Sequence, residues 1–191
     1  MRSRPKPLLI CISGFPGAGK GIFKKAADRL GLKTIVMGDY VRRKTKEIYG
    51  SLSLRNIKKT MLQLRKDYGE DIIARFVADD LNRITENFII IDGVRSMAEV
   101  NYFKNIANVV LIWVHASPVT RYKRLILRGR EGDVKNIRDL ILRENVEKRI
   151  GLNELIENAD IYFINEDIDE EYAISSACTL LKSIIETFKY R

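Results

Sequence analysis

Histidine occurs once, tryptophan once and cysteine twice in 191 residues, and each scarcity closes off a class of chemistry. The cysteines, Cys11 and Cys178, stand in an apolar run and a late helical pattern, without the close even spacing of a disulfide framework or the CxxC spacing of a zinc site. Structural zinc is therefore not expected, and cytoplasmic residence is the expectation. No apolar run approaches the roughly 18 residues of a membrane span. The opening MRSRPKPLLICIS reaches glycine too early for a signal peptide, so its apolar part reads as a buried strand. Repeats, low-complexity tracts and linkers are also missing, which leaves one domain over 1–191 with one active site, as a monomer or small homo-oligomer. Acidic residues are outnumbered, 25 against 34 basic ones, and the net charge of +9 favours anionic partners such as nucleotides, coenzymes or nucleic acid.

What is present is an alternation. LLICIS (8–13), TIVM (34–37), FIIID (88–92), VVLIWVH (109–115) and DIYFIN (160–165) are β-branched runs of strand length, separated by helical stretches. That order predicts a three-layer α/β domain around a parallel sheet. Ser117 and Pro118 read as the cap and first residue of a helix running to Arg128, and Gly129 ends it. A second helix starts near Asn136, and Gly151 divides it from a third. From about 39 to 87 there is only helical periodicity, broken near Gly50 and Gly69, so this insertion is the expected substrate-holding part.

Chemistry enters at GFPGAGKGI, residues 14–22. GxxxxGK between a strand and a helix turns backbone N–H groups toward an anion, with glycines for the tight backbone and Lys20 for the β- and γ-phosphates. The expected cradle is Gly14, Phe15, Pro16, Gly17, Ala18, Gly19, Lys20, Gly21 and Ile22. GFPGAGKG resembles the loop of adenylate kinases and other nucleoside monophosphate kinases, which also carry glycine after the lysine. The resemblance implies a P-loop kinase fold with strand order 2-3-1-4-5, and ATP and Mg²⁺ as cofactors. Ile22 departs from it, since the family usually places Thr there.

Two further segments extend the resemblance. MGDYVRR is similar to TGDxxR at Gly38, Asp39 and Arg42, and DGVRS is similar to DGFPR at Asp92, Gly93 and Arg95, with Val94 in between. The family's use of these positions implies an acceptor site of Gly38, Asp39, Arg42, Gly93, Val94 and Arg95, the two arginines sharing the acceptor phosphate. Asp92, closing an apolar strand, is placed to hold Mg²⁺ through water. Arg121, Arg124 and Arg128 recur at helical spacing, and the RLxxR part resembles the lid entrance of these kinases, which implies donor-phosphate roles for Arg124 and Arg128. The lid itself is short, about 129–136, and its later arginine is Arg130, Arg138 or Arg143.

Taken over nearly the whole chain, the sequence is similar to an archaeal family of adenylate-kinase-related P-loop proteins of unassigned substrate. That implies phosphoryl transfer from ATP to a nucleotide such as AMP, with Lys20, Asp39, Arg95, Arg124 and Arg128 as the catalytic set. A hydroxyl acceptor, as in dephospho-coenzyme A kinases, would need a carboxylate for its proton, and Asp39 is the expected one. A third reading is an RNA-associated ATPase. It rests on Arg55, Lys58, Lys59, Arg65 and Lys66, a basic face of the insertion opposite an apolar stripe at Leu54, Ile57, Met61 and Leu64. His115, closing a strand, reads as structural rather than catalytic, and Tyr40, Tyr49 and Tyr68 near the acceptor region read as readily core as base-stacking.

Overall fold

In the computed structural model, which describes residues 6–129, 134–166 and 168–189, the sheet grows outward from its first strand. β1 (Leu8–Ser13) is buried at every position and lies between β3 (Phe88–Asp92) and β4 (Asn108–His115). β2 (Lys33–Val36) pairs with β3, and β5 (Ile161–Ile164) with β4, so the order is β2-β3-β1-β4-β5 with every pairing parallel. This is the strand order of the P-loop kinase fold. Parallel neighbours need crossover connections, and helices supply them on both faces.

Period-two alternation assigns each strand residue to a layer. Leu9, Cys11, Ile89, Ile91, Leu111 and Trp113 point to one face, packed by α2 (Met37–Tyr49), α3 (Leu54–Tyr68), α4 (Ile72–Leu81), α5 (Met97–Ile106) and α8 (Leu152–Glu157). Leu8, Ile10, Ile12, Ile90, Ile112 and Val114 point to the other, covered by α1 (Gly21–Arg29) and α9 (Glu170–Lys189). The sheet thus separates two cores, one on each face.

Two more helices follow β4. α6 (Pro118–Arg128) begins where Ser117 Oγ accepts from the Thr120 N–H, and ends at Gly129 in the left-handed region (φ 54°). α7 (Ile137–Arg149) is capped by Asn136. Both starts agree with the sequence reading. Met37, expected in the second strand, instead opens α2, so the chain passes from strand to helix without a loop and Asp39 lies in the first helical turn. The three helices between β2 and β3 break at Gly50 and Gly69, as expected. Of the predicted lid, residues 130–133 lie outside the described residues, and so does Arg130.

Candidate active site

At the carboxyl ends of β1 and β3 a cavity of about 740 Å³ opens, where parallel sheets place ligand sites. Its floor is the loop after β1. A Cβ on Gly14 (φ 146°) would stand 2.4 Å from the Val114 carbonyl oxygen, and one on Gly19 (φ 91°) 2.1 Å from Asn165 Nδ2. Both positions therefore require glycine, for backbone conformation and for close approach. Gly21 is different, since a Cβ there would meet nothing within 4 Å.

Asn165, buried at the end of β5, donates from Nδ2 to the Ala18 carbonyl at 2.9 Å, and Arg124 Nη1 donates to the carbonyls of Asn165 (3.0 Å) and Ala18 (3.4 Å). The next residue, Glu166, accepts from the Ser117 N–H, Ser117 Oγ (2.7 Å) and Thr120 Oγ1, and these bonds hold its carboxyl down at about 2. The loop after β5 thereby ties the phosphate loop to the start of α6. Ser13 Oγ adds a tie on the other side, donating to the Val94 carbonyl at 2.7 Å.

Lys20 folds back over the loop, its Nζ 2.5 Å from the Gly14 carbonyl and 3.3 Å from that of Phe15. Burial lowers it to about 8, against the pull of the Asp92 carboxylate. Asp92 is pushed above the usual carboxylate range by burial and pulled back by Lys20 and Arg95, and its Oδ1 is buried without a hydrogen-bond partner. An orphaned buried oxygen beside a lysine fits a hydrated cation at this point. Among the described residues no group of three His, Cys, Asp or Glu could hold a metal alone, so Mg²⁺ here would take its remaining ligands from water and phosphate.

Of the loop residues, Gly14, Pro16, Gly17, Gly19, Lys20, Gly21 and Ile22 line the cavity. Phe15 and Ala18 turn inward: Phe15 stacks edge-on against Trp113 at 5.5 Å and under Arg121, and Ala18 is buried. Ile22 touches both the cavity and the core formed with α9. Arg124 and Arg128 reach the cavity, but Arg121, predicted on the same face, does not. Its guanidinium is buried, pairs with Glu144 and donates to the Ala116 carbonyl, which makes it a strut between α6 and α7. Arg143 lines the cavity whereas Arg138 is exposed away from it.

Gly38, Arg42, Asp92, Gly93, Val94 and Arg95 also line the cavity. Asp39 does not: its side chain is 64% exposed and pairs with Arg42 one turn later, because the early start of α2 rotates it outward. The basic face of α3 is likewise divided. Lys58 turns to the cavity, and Arg65 is 5% exposed, donating to Glu99 at 2.6 Å. Position i+4 from Met61 on the apolar stripe is the signal that could have placed Arg65 inside. Tyr40 is buried and bonds Asp80, while Tyr49, Tyr68 and His115 are exposed.

Sequence reasoning missed two buried carboxylates. Glu99 accepts from the Arg95 N–H (2.7 Å) and from Arg65, and burial pushes it up against those partners. Glu147, 3% exposed on α7 and lining the cavity, lies 3.0 Å from Arg95 Nη1 with both oxygens. A glutamate four residues after Arg143 was the available signal, and nothing local distinguished it from a surface pair.

A protein from Staphylothermus marinus described as a UPF0200 protein is 40% identical to this chain over 181 residues, covering 95% of each. The chain belongs to the UPF0200 family. Another UPF0200 protein, from Methanocaldococcus jannaschii, is 34% identical over 189 residues, covering 96% of this chain and 94% of the relative. Residues 13–141 also match the family described as AAA domain. Among solved structures, a gluconokinase from Sinorhizobium meliloti superposes with TM-score 0.62 at 14% identity, covering 98% of each chain. A shikimate kinase from Bacteroides thetaiotaomicron superposes with TM-score 0.57 at 19% identity, covering 94% of this chain and 98% of its own. At such identities the likeness is one of fold, and this UPF0200 chain has the fold of P-loop kinases.

Proposed function

We propose that this UPF0200 protein is an ATP-dependent phosphotransferase that moves the γ-phosphoryl group of Mg²⁺-bound ATP to a small anionic acceptor of nucleotide size, with AMP the first to assay. The observation that carries the reading is one cavity in which Lys20 and the orphaned Asp92 oxygen meet the arginines of both ends. Transfer of a phosphoryl group needs alignment and charge neutralisation above all. Lys20, Arg124 and Arg128 would neutralise the donor phosphates, and Asp92 would hold Mg²⁺ through water. Gly38, Arg42, Gly93, Val94 and Arg95 would hold the acceptor, with Leu54, Ile57 and Met61 as an apolar wall for its body. The chain 1–191 would act as one kinase domain in the cytoplasm, and no helix among the described residues is long and apolar enough to cross a membrane.

A second reading, in which the acceptor reacts through a hydroxyl, is favoured by the buried carboxylate of Glu147 beside Arg95. The RNA-associated reading keeps Arg55, Lys59 and Lys66 on the exposed side of α3, without Arg65. ATP consumption and label transfer, measured against nucleoside monophosphates, dephospho-coenzyme A and RNA ends, tests all three. Turnover unaffected by Lys20→Ala would refute phosphoryl transfer at this site.

A further inference from the structure

We infer that Glu147 is the proton acceptor of the transfer step, so that the phosphoryl group goes to a hydroxyl of an anionic, nucleotide-sized acceptor and not to its phosphate. The inference rests on the phosphotransfer reading and names the reacting atom within it. Arg95, the residue placed to grip an acceptor phosphate, already holds a buried carboxylate, with both Glu147 oxygens 3.0 Å from its Nη1. A phosphate dianion at the same guanidinium would face that carboxylate in a pocket of low dielectric, where like charges repel strongly. A hydroxyl meets no such opposition. An ionised carboxylate has about four acceptor positions, and Arg95 uses one on each oxygen, so Glu147 can also accept from a ligand.

Position supports the role. Glu147 and Lys20 line the same cavity, and the Glu147 charge acts on Lys20. The other carboxylates are committed or distant. Asp39 lies outside the cavity on Arg42, Asp92 would be taken by the cation, and Glu170 on α9 pairs with Lys25 at 2.7 Å. For the acceptor's own anionic group, Lys58 on α3 and Arg143 on α7 line the same cavity, and Lys58 is lowered from its ordinary value by burial and by Arg143.

In the step, the acceptor hydroxyl oxygen forms a bond to Pγ as the bond from Pγ to the β,γ-bridging oxygen breaks. ADP leaves with that electron pair, and the hydroxyl proton passes to Glu147, which returns it to water after product release.

AMP carries both possible acceptors, its phosphate and its ribose hydroxyls, and dephospho-coenzyme A offers a ribose hydroxyl on a larger anion. Each is incubated with protein, Mg²⁺ and γ-labelled ATP, and the product bond is read as ester or anhydride. Label in a phosphate ester is the expected result. In single turnover Glu147→Gln lowers kcat about 10²-fold or more with acceptor KM within about threefold, and Glu147→Asp restores part of the rate. Label in an anhydride, or a Glu147→Gln protein with kcat intact and a lower acceptor KM, overturns the inference while leaving phosphotransfer standing. ATP consumed with no label in either acceptor or in RNA overturns both. The product bond is read on wild-type protein, so the inference stays refutable if the variants fail to fold.

Discussion

At the β1 end the cavity is lined by a glycine-rich loop, and at the insertion end by side chains carried by separate helices. The loop of residues 14–20 is shaped by glycines that fit nothing larger and is braced by Asn165, Arg124 and Ser13. The opposite wall is a relay of charges, Arg65 to Glu99 to the Arg95 N–H, then Arg95 to Glu147, joining α3, α5 and α7. On the proposed function, a backbone cradle would recognise what all nucleotide donors share, whereas a wall of side chains from several helices can be re-specified by single substitutions. A kinase fold can therefore keep its donor and change its acceptor.

The largest expected effect is at the loop. Lys20→Ala should lower ATP turnover about 10³-fold or more, measured at saturating ATP, because the donor phosphates of the proposed reaction would lose the cation that the loop supplies. Residual turnover near wild type would show that the two ends are not distinguished as described. On the opposite wall the cost should fall on folding. Glu99→Ala leaves Arg65 buried without its carboxylate and should destabilise by about 3–5 kcal/mol in denaturant unfolding.

Lys20 also has a stability signature. Its folded value of about 8 is below the ordinary 10.5, so the unfolded chain binds more protons between those values and wild-type stability should rise with pH through that window. Lys20→Met should then stabilise the protein by at most roughly 3 kcal/mol at pH 7. That gain should shrink from pH 8 to 10.5, and a gain independent of pH would argue against a charged, desolvated lysine.

Arg42→Ala should raise acceptor KM about 10- to 100-fold while ATP KM moves little; equal effects on both would merge the two ends into one. The smallest effect belongs to Asp39→Asn, which should change transfer less than about threefold because an exposed ion pair contributes little. A loss as large as that expected of Glu147→Gln would return the carboxylate role to Asp39.

Legibility in the sequence follows the same division. The strands, the helix from Ser117 to Gly129 and the loop at 14–22 depend on neighbours a few residues apart, so period, caps and glycines reveal them. Arg121, Asp39, Arg65 and Glu147 were not readable in this way. At helical spacing Arg121 is indistinguishable from Arg124, yet one braces α7 and the other lines the cavity. The two-residue difference at the start of α2 sufficed to turn Asp39 outward.

By itself, then, the sequence determined the order of strands and helices and the phosphate loop, because hydrophobic period and backbone conformation are local properties. Only the tertiary structure decided which charges line the cavity and which face each other. The partner of Arg95 stands 52 positions along the chain on α7, and that pairing exists only once the sheet and its crossover helices have brought the two together.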